Sequence, residues 1–343
     1  MERVLVTGAG GFIGHHLVTF LKEHGYWVRG VDLKFPKFTD VSADDFRILD
    51  LRRWENCLEA TGDVDHVYAL AADMGGMGFI SQNHATILRN NALINLHTLD
   101  AARTNGITRY LYTSSACVYP DHLQTETDVA PLREVDAYPA NPQDAYGWEK
   151  LITEKLCEYY IDEFDLDTRT VRFHNVYGPN GTYDGGREKA PAAIARKVAQ
   201  AVDGGEVEIW GDGEQTRSFC YIDDCVEGIY RLMMSDYQEP LNLGRDRMVT
   251  INQLAEMVID ISGKNLSLKH VSGPQGVRGR NSDNTRLREV LGWEPTTPLE
   301  VGLVPTYQWI QKMVENADPS STPPPDGDKP SVVVDLKGVM ERH

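Results

Sequence analysis

A phenol and an ammonium group are spaced four residues apart in the segment Tyr146-Gly-Trp-Glu-Lys150. The apolar spacing from Asp144 to Phe164 predicts a helix, and residues four apart lie on one face of a helix. A cationic neighbour and a positive nicotinamide ring lower the pKa of the phenol, which then accepts a hydroxyl proton while hydride leaves for the nicotinamide. The same spacing is common on ordinary helix surfaces, so the interpretation depends on the neighbouring segments.

Hydroxyl and thiol side chains come at the end of a strand predicted from Tyr110 to Ser114. The segment Thr113-Ser-Ser115-Ala-Cys117-Val-Tyr119 spans that end. Ligands of open parallel sheets bind at the carboxyl ends of the strands, so we expect Ser115 to face the same site as Tyr146. Together the two segments favour a catalytic centre over an ordinary surface pair.

Glycine residues follow the first predicted strand, residues 3–7, in Thr7-Gly8-Ala-Gly-Gly11-Phe12-Ile13-Gly14. Apolar residues at helical spacing come next, and Gly25 ends this helix. A loop without side chains lets backbone N–H groups approach a pyrophosphate at the positive end of the helix. We therefore predict a dinucleotide site that includes Gly8, Gly11, Phe12, Ile13 and Gly14.

Two acidic residues complete the predicted cofactor site. Asp32 ends the second predicted strand, about twenty residues beyond the glycine loop, where a carboxylate accepts hydrogen bonds from ribose hydroxyls. Such a carboxylate repels a 2′-phosphate, so NAD is favoured over NADP. Asp50 follows a later strand in Ile-Leu-Asp-Leu, and we expect it at the adenine edge of the same cofactor.

Strand and helix patterns alternate through the first half of the chain. Such alternation is typical of the α/β class, with a Rossmann-type doubly wound parallel sheet covered on both faces. We predict an NAD-binding Rossmann domain over residues 1–175, to which a segment near 241–245 returns. The predicted strands are residues 3–7, 26–31, 67–71, 110–114 and 168–173.

The second half is richer in glycine and proline, and we predict a smaller C-terminal α/β substrate-binding lobe over residues 176–315. Helices are expected at Pro191–Val202, Asp224–Met234 and Ile251–Ile261. Residues 316–343 are proline-rich and predict an extended linker and tail, in which Val332–Val334 is a candidate short strand.

The glycine loop and the Tyr146 and Ser115 segments resemble the extended short-chain dehydrogenases, the NAD-dependent epimerase/dehydratase family. The resemblance implies that Ser115, Tyr146 and Lys150 form the triad that oxidises a sugar at C4, and that Tyr146 and Lys150 also contact NAD. Dehydratases of this family usually carry Asp-Glu after the catalytic Ser or Thr, whereas this chain has Ala116-Cys117. The resemblance therefore argues against dehydration.

Longer segments are similar to the GDP-mannose 3,5-epimerases within that family, and the similarity covers roughly residues 1–310. This resemblance implies a GDP-sugar substrate, with GDP-mannose converted to GDP-L-galactose and GDP-L-gulose as the 5-epimer. The segments are Ala71–Phe79, Ser114–Pro120, Arg172–Pro179, Gly185–Ala193, Gly211–Phe219 and Gly276–Asp283. The implied substrate site consists of Gly75, Ser115, Asn175, Arg187, Lys189, Arg217 and Arg278, with Arg280 as a further candidate.

Epimerisation at C3 and C5 needs acid–base groups on both faces of the sugar. Once C4 is a ketone, the protons on C3 and C5 are acidified, and inversion requires removal on one face and return on the other. The resemblance assigns Cys117 as the base and Lys189 as the acid. Positive neighbours lower the pKa of a thiol, which suits this role.

Composition limits the other partners. The chain has 34 Lys and Arg against 51 Asp and Glu, and a formal charge of −17 repels a phosphate backbone, so no nucleic acid is expected. No apolar run approaches the roughly 20 residues of a membrane span. Five cysteines in no metal-binding pattern, and no secretory leader, predict a cytoplasmic protein without a metal. The resemblance further implies a homodimer.

Two other functions stay open on the sequence alone. One is a 4-epimerase, or an epimerase of another nucleotide sugar, and a 4-epimerase needs neither Cys117 nor Lys189 as a proton relay. The other is a non-catalytic dinucleotide-binding sensor on the same fold. The intact Ser115, Tyr146 and Lys150 argue against the sensor.

Overall fold

The computed structural model describes residues 1–274 and 276–317. The predicted tail over residues 316–343 lies outside the described residues from 318 onward, and so does the candidate strand Val332–Val334. The strands are β1 (Arg3–Thr7), β2 (Trp27–Asp32), β3 (Asp45–Ile48), β4 (His66–Ala69), β5 (Arg109–Ser115), β6 (Asp167–Phe173), β7 (Val176–Tyr177), β8 (Glu206–Trp210), β9 (Thr216–Ser218), β10 (Cys220–Tyr221), β11 (Pro240–Leu243), β12 (Met248–Thr250), β13 (Ser267–Val271) and β14 (Gly279–Arg280). The helices are α1 (Phe12–Glu23), α2 (Trp54–Thr61), α3 (Met77–Ile80), α4 (His84–Thr104), α5 (Ala145–Phe164), α6 (Ala190–Gln200), α7 (Ile222–Met234), α8 (Ile251–Ser262), α9 (Thr285–Leu291) and α10 (Leu299–Glu315).

Within the described ranges, the largest sheet has seven strands in the order β11-β6-β5-β4-β1-β2-β3. Every neighbouring pair in it is parallel. The predicted α/β doubly wound fold is therefore confirmed, and the segment expected to return to the sheet is β11. The strand order reverses between β1 and β4, and the carboxyl ends of the strands on either side of such a reversal form the ligand crevice of this fold.

Helices cover both faces of this sheet, and β1 shows why they must. Val4, Leu5 and Val6 are fully buried, and alternate residues of a strand point to opposite faces. Val4 and Val6 pack in one apolar cluster with Leu17 of α1. Leu5 packs in another cluster with Leu99 of α4. A strand that is apolar on both faces needs two helical layers, which explains the alternation in the sequence.

The second half adds smaller sheets, in which β8 pairs with β13 and β9 lies between β12 and β14. Helices α6, α8 and α10 pack around a separate apolar cluster that includes Ile194, Leu254 and Leu303. The three helices predicted in this half correspond to α6, α7 and α8, but α7 packs with α1 against the large sheet. The domain boundary at residue 175 stays a prediction. No helix in the described part of the chain is both long and apolar enough to cross a bilayer.

A buried ion pair joins β6 to α5. Arg172 Nη2 lies 2.7 Å from Glu154 Oε2, and Arg172 Nε donates to Glu154 Oε1 at 2.9 Å. Neither side chain is more than 3% exposed. The Ser114 hydroxyl also donates to this carboxylate, close to the end of β5. Because both charges are removed from water, each depends on the other for compensation.

Glu154→Gln is expected to lower the free energy of unfolding by about 3–5 kcal/mol, because the Arg172 cation stays buried without its partner. Urea denaturation measures this loss. The matched control is Glu300→Gln, which breaks the exposed Arg247–Glu300 pair and should cost less than about 1 kcal/mol. Equal losses in the two variants would show that burial does not set the strength of the Arg172 pair.

Candidate active site

The glycine loop connects β1 to α1 at the strand-order reversal. Gly8 has a φ of 72°, a left-handed conformation that glycine adopts without strain. A Cβ on Gly14 would clash with the carbonyl oxygen of Gly8, so only glycine fits there. The first N–H groups of α1, from Phe12 to Gly14, have no acceptor within the helix. A bare loop that ends at such N–H groups suits a pyrophosphate, so these residues fit a dinucleotide.

Asp32 lies at the carboxyl end of β2 and faces the glycine loop. Its Oδ2 accepts a hydrogen bond from Gly10 N at 3.0 Å, and its Oδ1 accepts one from Leu33 N at 2.6 Å. Burial raises the pKa of Asp32, and these N–H groups oppose the rise. The carboxylate is thus fixed beside the loop, in the position that suits the ribose of a dinucleotide.

Asp32→Asn is expected to raise the Kd for NAD about tenfold or more, because a hydrogen bond to a charged group contributes about 1.5–3 kcal/mol. Isothermal titration calorimetry measures this Kd. The variant keeps the size of the side chain, and its thermal midpoint reports whether the glycine loop is still supported. An unchanged Kd with an unchanged midpoint would remove Asp32 from the cofactor site.

Asp50 follows β3 and is engaged by a neighbour on its own loop. Arg52 Nε donates to Asp50 Oδ1 at 2.8 Å, and Arg52 Nη2 donates to Oδ2 at 2.7 Å. This pairing lowers the pKa of Asp50. Both carboxylate oxygens are occupied by the guanidinium, and the contact between Asp50 and an adenine stays a prediction.

The Ser115, Tyr146 and Lys150 side chains lie where the end of β5 meets the start of α5. Asp144 caps α5 through its carboxylate, which accepts a backbone N–H at 2.8 Å and so fixes the helix start next to Tyr146. Lys150 Nζ donates to the Thr113 carbonyl at 3.0 Å and lies 5.5 Å from the centroid of the Tyr146 ring. The structure therefore brings the three predicted residues together.

The electrostatics of this triad differ from the prediction in one respect. Burial raises the pKa of Tyr146, the Cys117 and Glu149 charges add to the rise, and a hydrogen bond with Ser115 opposes it. In the protein alone, desolvation of the phenol thus outweighs the predicted lowering, which included the charge of a nicotinamide ring. Burial also lowers the pKa of Lys150. A further cation beside the phenol is needed to favour the phenolate.

Cys117 lies in the single helical turn that follows β5. Its N–H donates to Ser115 Oγ at 3.2 Å, which fixes that turn. Arg280 Nη1 donates to Cys117 Sγ at 3.3 Å, and Arg280 Nε donates to Gln124. The Arg280 residue is only 9% exposed. A cation beside the sulfur is the environment in which cysteines act as bases or nucleophiles.

Lys189 stands at the N-terminus of α6 and is exposed by surface area. Its ammonium nevertheless lies among protein atoms on most sides, and this burial lowers the pKa of Lys189. The charge of Cys117 is the main influence opposing the shift, so the ammonium and the sulfur belong to one electrostatic neighbourhood.

Lys189, Arg217 and Arg280 form a cluster of cations in this protein of negative net charge. Burial, and then the charge of Arg280, lower the pKa of Arg217 to about 9. Arg280 also contributes to the lowered pKa of Lys189. Like charges that depress one another are relieved by an anion, so this cluster suits an anionic ligand such as a diphosphate.

Two other predicted arginines are held by acidic side chains. Arg278 forms a two-pronged ion pair with Asp212, at 2.7 and 2.6 Å, on a partly exposed surface. Arg187 lies 3.7 Å from the centroid of the Phe79 ring, and its Nη1 donates to Asp73 Oδ1 at 3.4 Å. Contact of either guanidinium with substrate stays a prediction.

Gly75 and Asn175 occupy constrained positions near these elements. Gly75 is buried, and a Cβ there would lie 3.1 Å from Arg187 Cγ, so the loop after β4 packs tightly on the loop before α6. Asn175 has a φ of 39°, and its Nδ2 donates to the Ser218 carbonyl at 2.9 Å. The sugar contacts predicted for both residues stay predictions.

Glu149 was not predicted from the sequence, and Arg280 was only a further candidate for the substrate site. Glu149 is 2% exposed and accepts hydrogen bonds from Asn91 and Asn95 of α4. The available signal was the pair of asparagines at helical spacing on a helix that covers the sheet. In residues 1–274 and 276–317, no three His, Cys, Asp or Glu side chains are grouped as metal ligands.

The chain is similar in sequence and in fold to known nucleotide-sugar epimerases. Residues 4–244 match the NAD dependent epimerase/dehydratase family. GDP-mannose 3,5-epimerase 1 of Oryza sativa subsp. indica is 52% identical over 315 residues, which cover 91% of this chain and 82% of the rice protein. GDP-mannose 3,5-epimerase of Arabidopsis thaliana is also 52% identical, with 91% and 83% covered.

Among solved structures, UDP-glucose 4-epimerase of Thermotoga maritima, determined with UDP-glucose, superimposes with a TM-score of 0.83 at 29% identity. The match covers 91% of this chain and all of that one. The chain therefore belongs to the NAD dependent epimerase/dehydratase family, and within it to the GDP-mannose 3,5-epimerases.

Proposed function

We propose that this chain converts GDP-mannose to GDP-L-galactose by NAD-dependent 3,5-epimerisation through a transient 4-keto sugar, with GDP-L-gulose as the 5-epimer. The observation that carries the proposal is the position of Cys117, which packs against the cluster that contains Tyr146 and whose Sγ accepts from Arg280 Nη1 at 3.3 Å, with Lys189 as the candidate acid. A 4-epimerase needs Tyr146 and Lys150 but no such second acid–base pair. The 52% identity to GDP-mannose 3,5-epimerases supports the same choice of substrate.

The cofactor site is assigned to the glycine loop and Asp32, with Tyr146 and Lys150 at the reactive end. When bound, NAD supplies reversible acceptance of a hydride from C4 of the sugar. Tyr146 takes the proton of the C4 hydroxyl, and Ser115 orients that hydroxyl by hydrogen bonding. Lys150 holds a positive charge near the phenol and favours its ionised form.

Cys117 and Lys189 then move protons on the two faces of the ring. With C4 as a ketone, Cys117 removes the proton from C5, and Lys189 returns one to the opposite face. The same exchange at C3 completes the second inversion. After each exchange Cys117 releases its proton to solvent and Lys189 takes one up. Reduction of C4 takes the phenolic proton back from Tyr146, so each residue ends the cycle in its starting state.

The cation cluster is assigned the role of binding the anionic diphosphate of the substrate. Lys189, Arg217 and Arg280 concentrate positive charge, and guanidinium groups bind phosphate oxygens in pairs. Arg187 and Arg278 are proposed as outer contacts of the nucleotide. Arg278 exchanges its Asp212 partner for the nucleotide, whereas Arg187 keeps Asp73 through Nη1 and offers its other N–H groups. Gly75 and Asn175 are proposed beside the sugar.

We also propose a homodimer, a cytoplasmic compartment, and a division at residue 175 between cofactor and substrate lobes. Apolar side chains on the neighbouring helices α4 and α5 support the dimer, because Leu96, Trp148 and Ile152 are 45%, 40% and 61% exposed. The five unpaired cysteines support a reducing compartment.

A panel of nucleotide sugars tests the function. The purified chain is incubated separately with GDP-mannose, UDP-glucose and UDP-glucuronic acid, and the products are identified by NMR. We expect GDP-L-galactose and GDP-L-gulose from GDP-mannose, with no comparable turnover of the UDP-sugars. A product inverted only at C4, or turnover confined to the UDP-sugars, would overturn the proposal.

A further inference from the structure

A chain of hydrogen bonds connects the two halves of the proposed site through the protein interior. Its centre is Asn91 of α4, which is fully buried. On one side Asn91 contacts Glu149, and on the other it contacts Asp73 in the loop after β4. Asp73 in turn contacts Arg187, on the loop that carries Lys189.

On the first side, a buried carboxylate is held by neutral donors. Glu149 Oε2 accepts a hydrogen bond from Asn91 Nδ2 at 3.2 Å, and Oε1 accepts from Asn95 and from the Tyr112 hydroxyl, the latter at 3.3 Å. Burial raises the pKa of Glu149 and the Lys150 charge opposes the rise, while the Glu149 charge opposes the lowering of the Lys150 pKa. The two buried groups therefore depend on each other for compensation. The ring of Tyr112 lies 4.9 Å from Lys150 Nζ, so the group that holds Glu149 also contacts the catalytic lysine.

On the second side, the amide of Asn91 makes two bonds to one backbone unit. Asp73 N donates to Asn91 Oδ1 at 2.6 Å, and Asn91 Nδ2 donates to the Asp73 carbonyl at 3.2 Å. Asn90 Nδ2 donates to Asp73 Oδ2 at 2.9 Å. These bonds fix the path of the loop after β4 and leave Asp73 Oδ1 directed at Arg187.

The loop before α6 needs this anchor. Gly185 and Gly186 have φ values of 83° and 81°, and glycine gives the chain little stiffness of its own. Arg187, the next residue, is held by Asp73 and by the ring of Phe79. Lys189 comes two residues later, so the position of its ammonium depends on where Arg187 is held.

We propose that Asn91 is a positioning residue that aligns Lys150 and Lys189 with a common substrate, through Glu149 on one side and Asp73 on the other. Asn91 touches neither lysine and acts through these two neighbours. The proposal rests on the proposed function, because that function gives Lys189 its role in proton return.

The test separates the two half-reactions in three variants. Oxidation at C4 is followed in a single turnover by the absorbance of reduced cofactor, and proton exchange is followed as deuterium uptake at C5 in deuterated water. Asn91→Leu, which is close in size, should slow both about 10- to 100-fold, because a displacement near 1 Å has this effect on catalysis. Asp73→Asn keeps the backbone bonds to Asn91 but weakens the hold on Arg187, and should slow only deuterium uptake.

Thr98→Val is the matched control, since Thr98 is also buried in α4 but its hydroxyl donates to the Ile94 carbonyl, at 2.6 Å. It should leave both rates unchanged, and thermal unfolding of each variant reports the cost to stability. The proposal is overturned if Asn91→Leu behaves as Thr98→Val does, or if Asp73→Asn slows both steps equally. If Asn91→Leu does not fold, the proposal is judged on Asp73→Asn alone, which should slow deuterium uptake but not oxidation at C4. Absence of deuterium uptake by the unaltered chain would instead reject the proposed function.

Discussion

Replacement of Tyr146 by phenylalanine is expected to lower kcat for GDP-mannose by about 10³-fold. A positioned acid–base group contributes about 10²–10⁴-fold, and among the residues that the structure describes no other phenol near Lys150 is placed to take the C4 hydroxyl proton. Tyr112 packs against Lys150, but its hydroxyl is directed at Glu149 inside the protein. The ring of phenylalanine preserves the packing of Tyr146 against Ile80 and Ile87, so the thermal midpoint should stay close to that of the unaltered chain.

Tyr159→Phe serves as the control, because Tyr159 lies on the same helix and is 56% exposed. The rates of both variants are measured at saturating GDP-mannose, with product identified by NMR. Retention of kcat within tenfold in Tyr146→Phe would mean that another group takes the proton. The assignment of the triad would then be wrong.

The second large effect is expected for Cys117→Ser, which should reduce solvent exchange at C5 and C3 by at least about 10²-fold. A hydroxyl is a far weaker acid than a thiol, so serine does not supply an anionic base at neutral pH. Oxidation at C4 depends on Tyr146 and Lys150 and should continue, so reduced cofactor should accumulate. The measurement combines deuterium content by NMR with the absorbance of the cofactor.

Lys189→Met gives the complementary result. Cys117 remains able to remove a proton and to return one on the same face, so deuterium should enter the substrate without inversion. Cys57→Ser is the control, since Cys57 is buried in the cluster with α2 and α4 rather than at this site. Equal loss of exchange in Cys117→Ser and Cys57→Ser, or normal inversion in Lys189→Met, would refute the two-sided mechanism.

The elements assigned to the cofactor were predictable because their signals are local. The glycine loop, Asp32 and the Tyr146–Lys150 spacing each lie within one strand–turn–helix unit, and the structure places them as expected at the carboxyl edge of the sheet. The alternation of strand and helix patterns was enough to predict a doubly covered sheet. A residue is found where its local sequence pattern predicts when a single strand–turn–helix unit determines its surroundings.

Residues whose roles arise from distant contacts were harder to predict. Arg280 meets Cys117 across 163 positions of sequence, and nothing in its own segment distinguishes it from Arg278. The structure shows the difference, because Arg278 pairs with Asp212 at the surface. In the sequence, Glu149 looks like a solvated helix residue. Only the structure shows that Asn91 and Asn95 of α4 lie against it and donate hydrogen bonds to it.

The pKa of Tyr146 likewise depends on distant parts of the chain and could not be predicted from its motif alone. The spacing to Lys150 predicts a lowered value, but the burial of the phenol raises it. Desolvation depends on every neighbouring element, so a motif of five residues does not determine it. The small sheets of the second half were also missed, because several of these strands have only two or three residues. Helix α10 was missed as well, and it carries Pro305 in its interior, where proline usually breaks a helix.

Exchange with solvent at two ring carbons is the direct consequence of an acid–base pair acting beside a temporary ketone. The unaltered chain is therefore incubated with GDP-mannose in deuterated water, and each ring position is examined by NMR. We expect deuterium at C3 and C5 of GDP-L-galactose, at C5 of GDP-L-gulose, and none at C4. Turnover that leaves C3 and C5 free of deuterium would contradict the account.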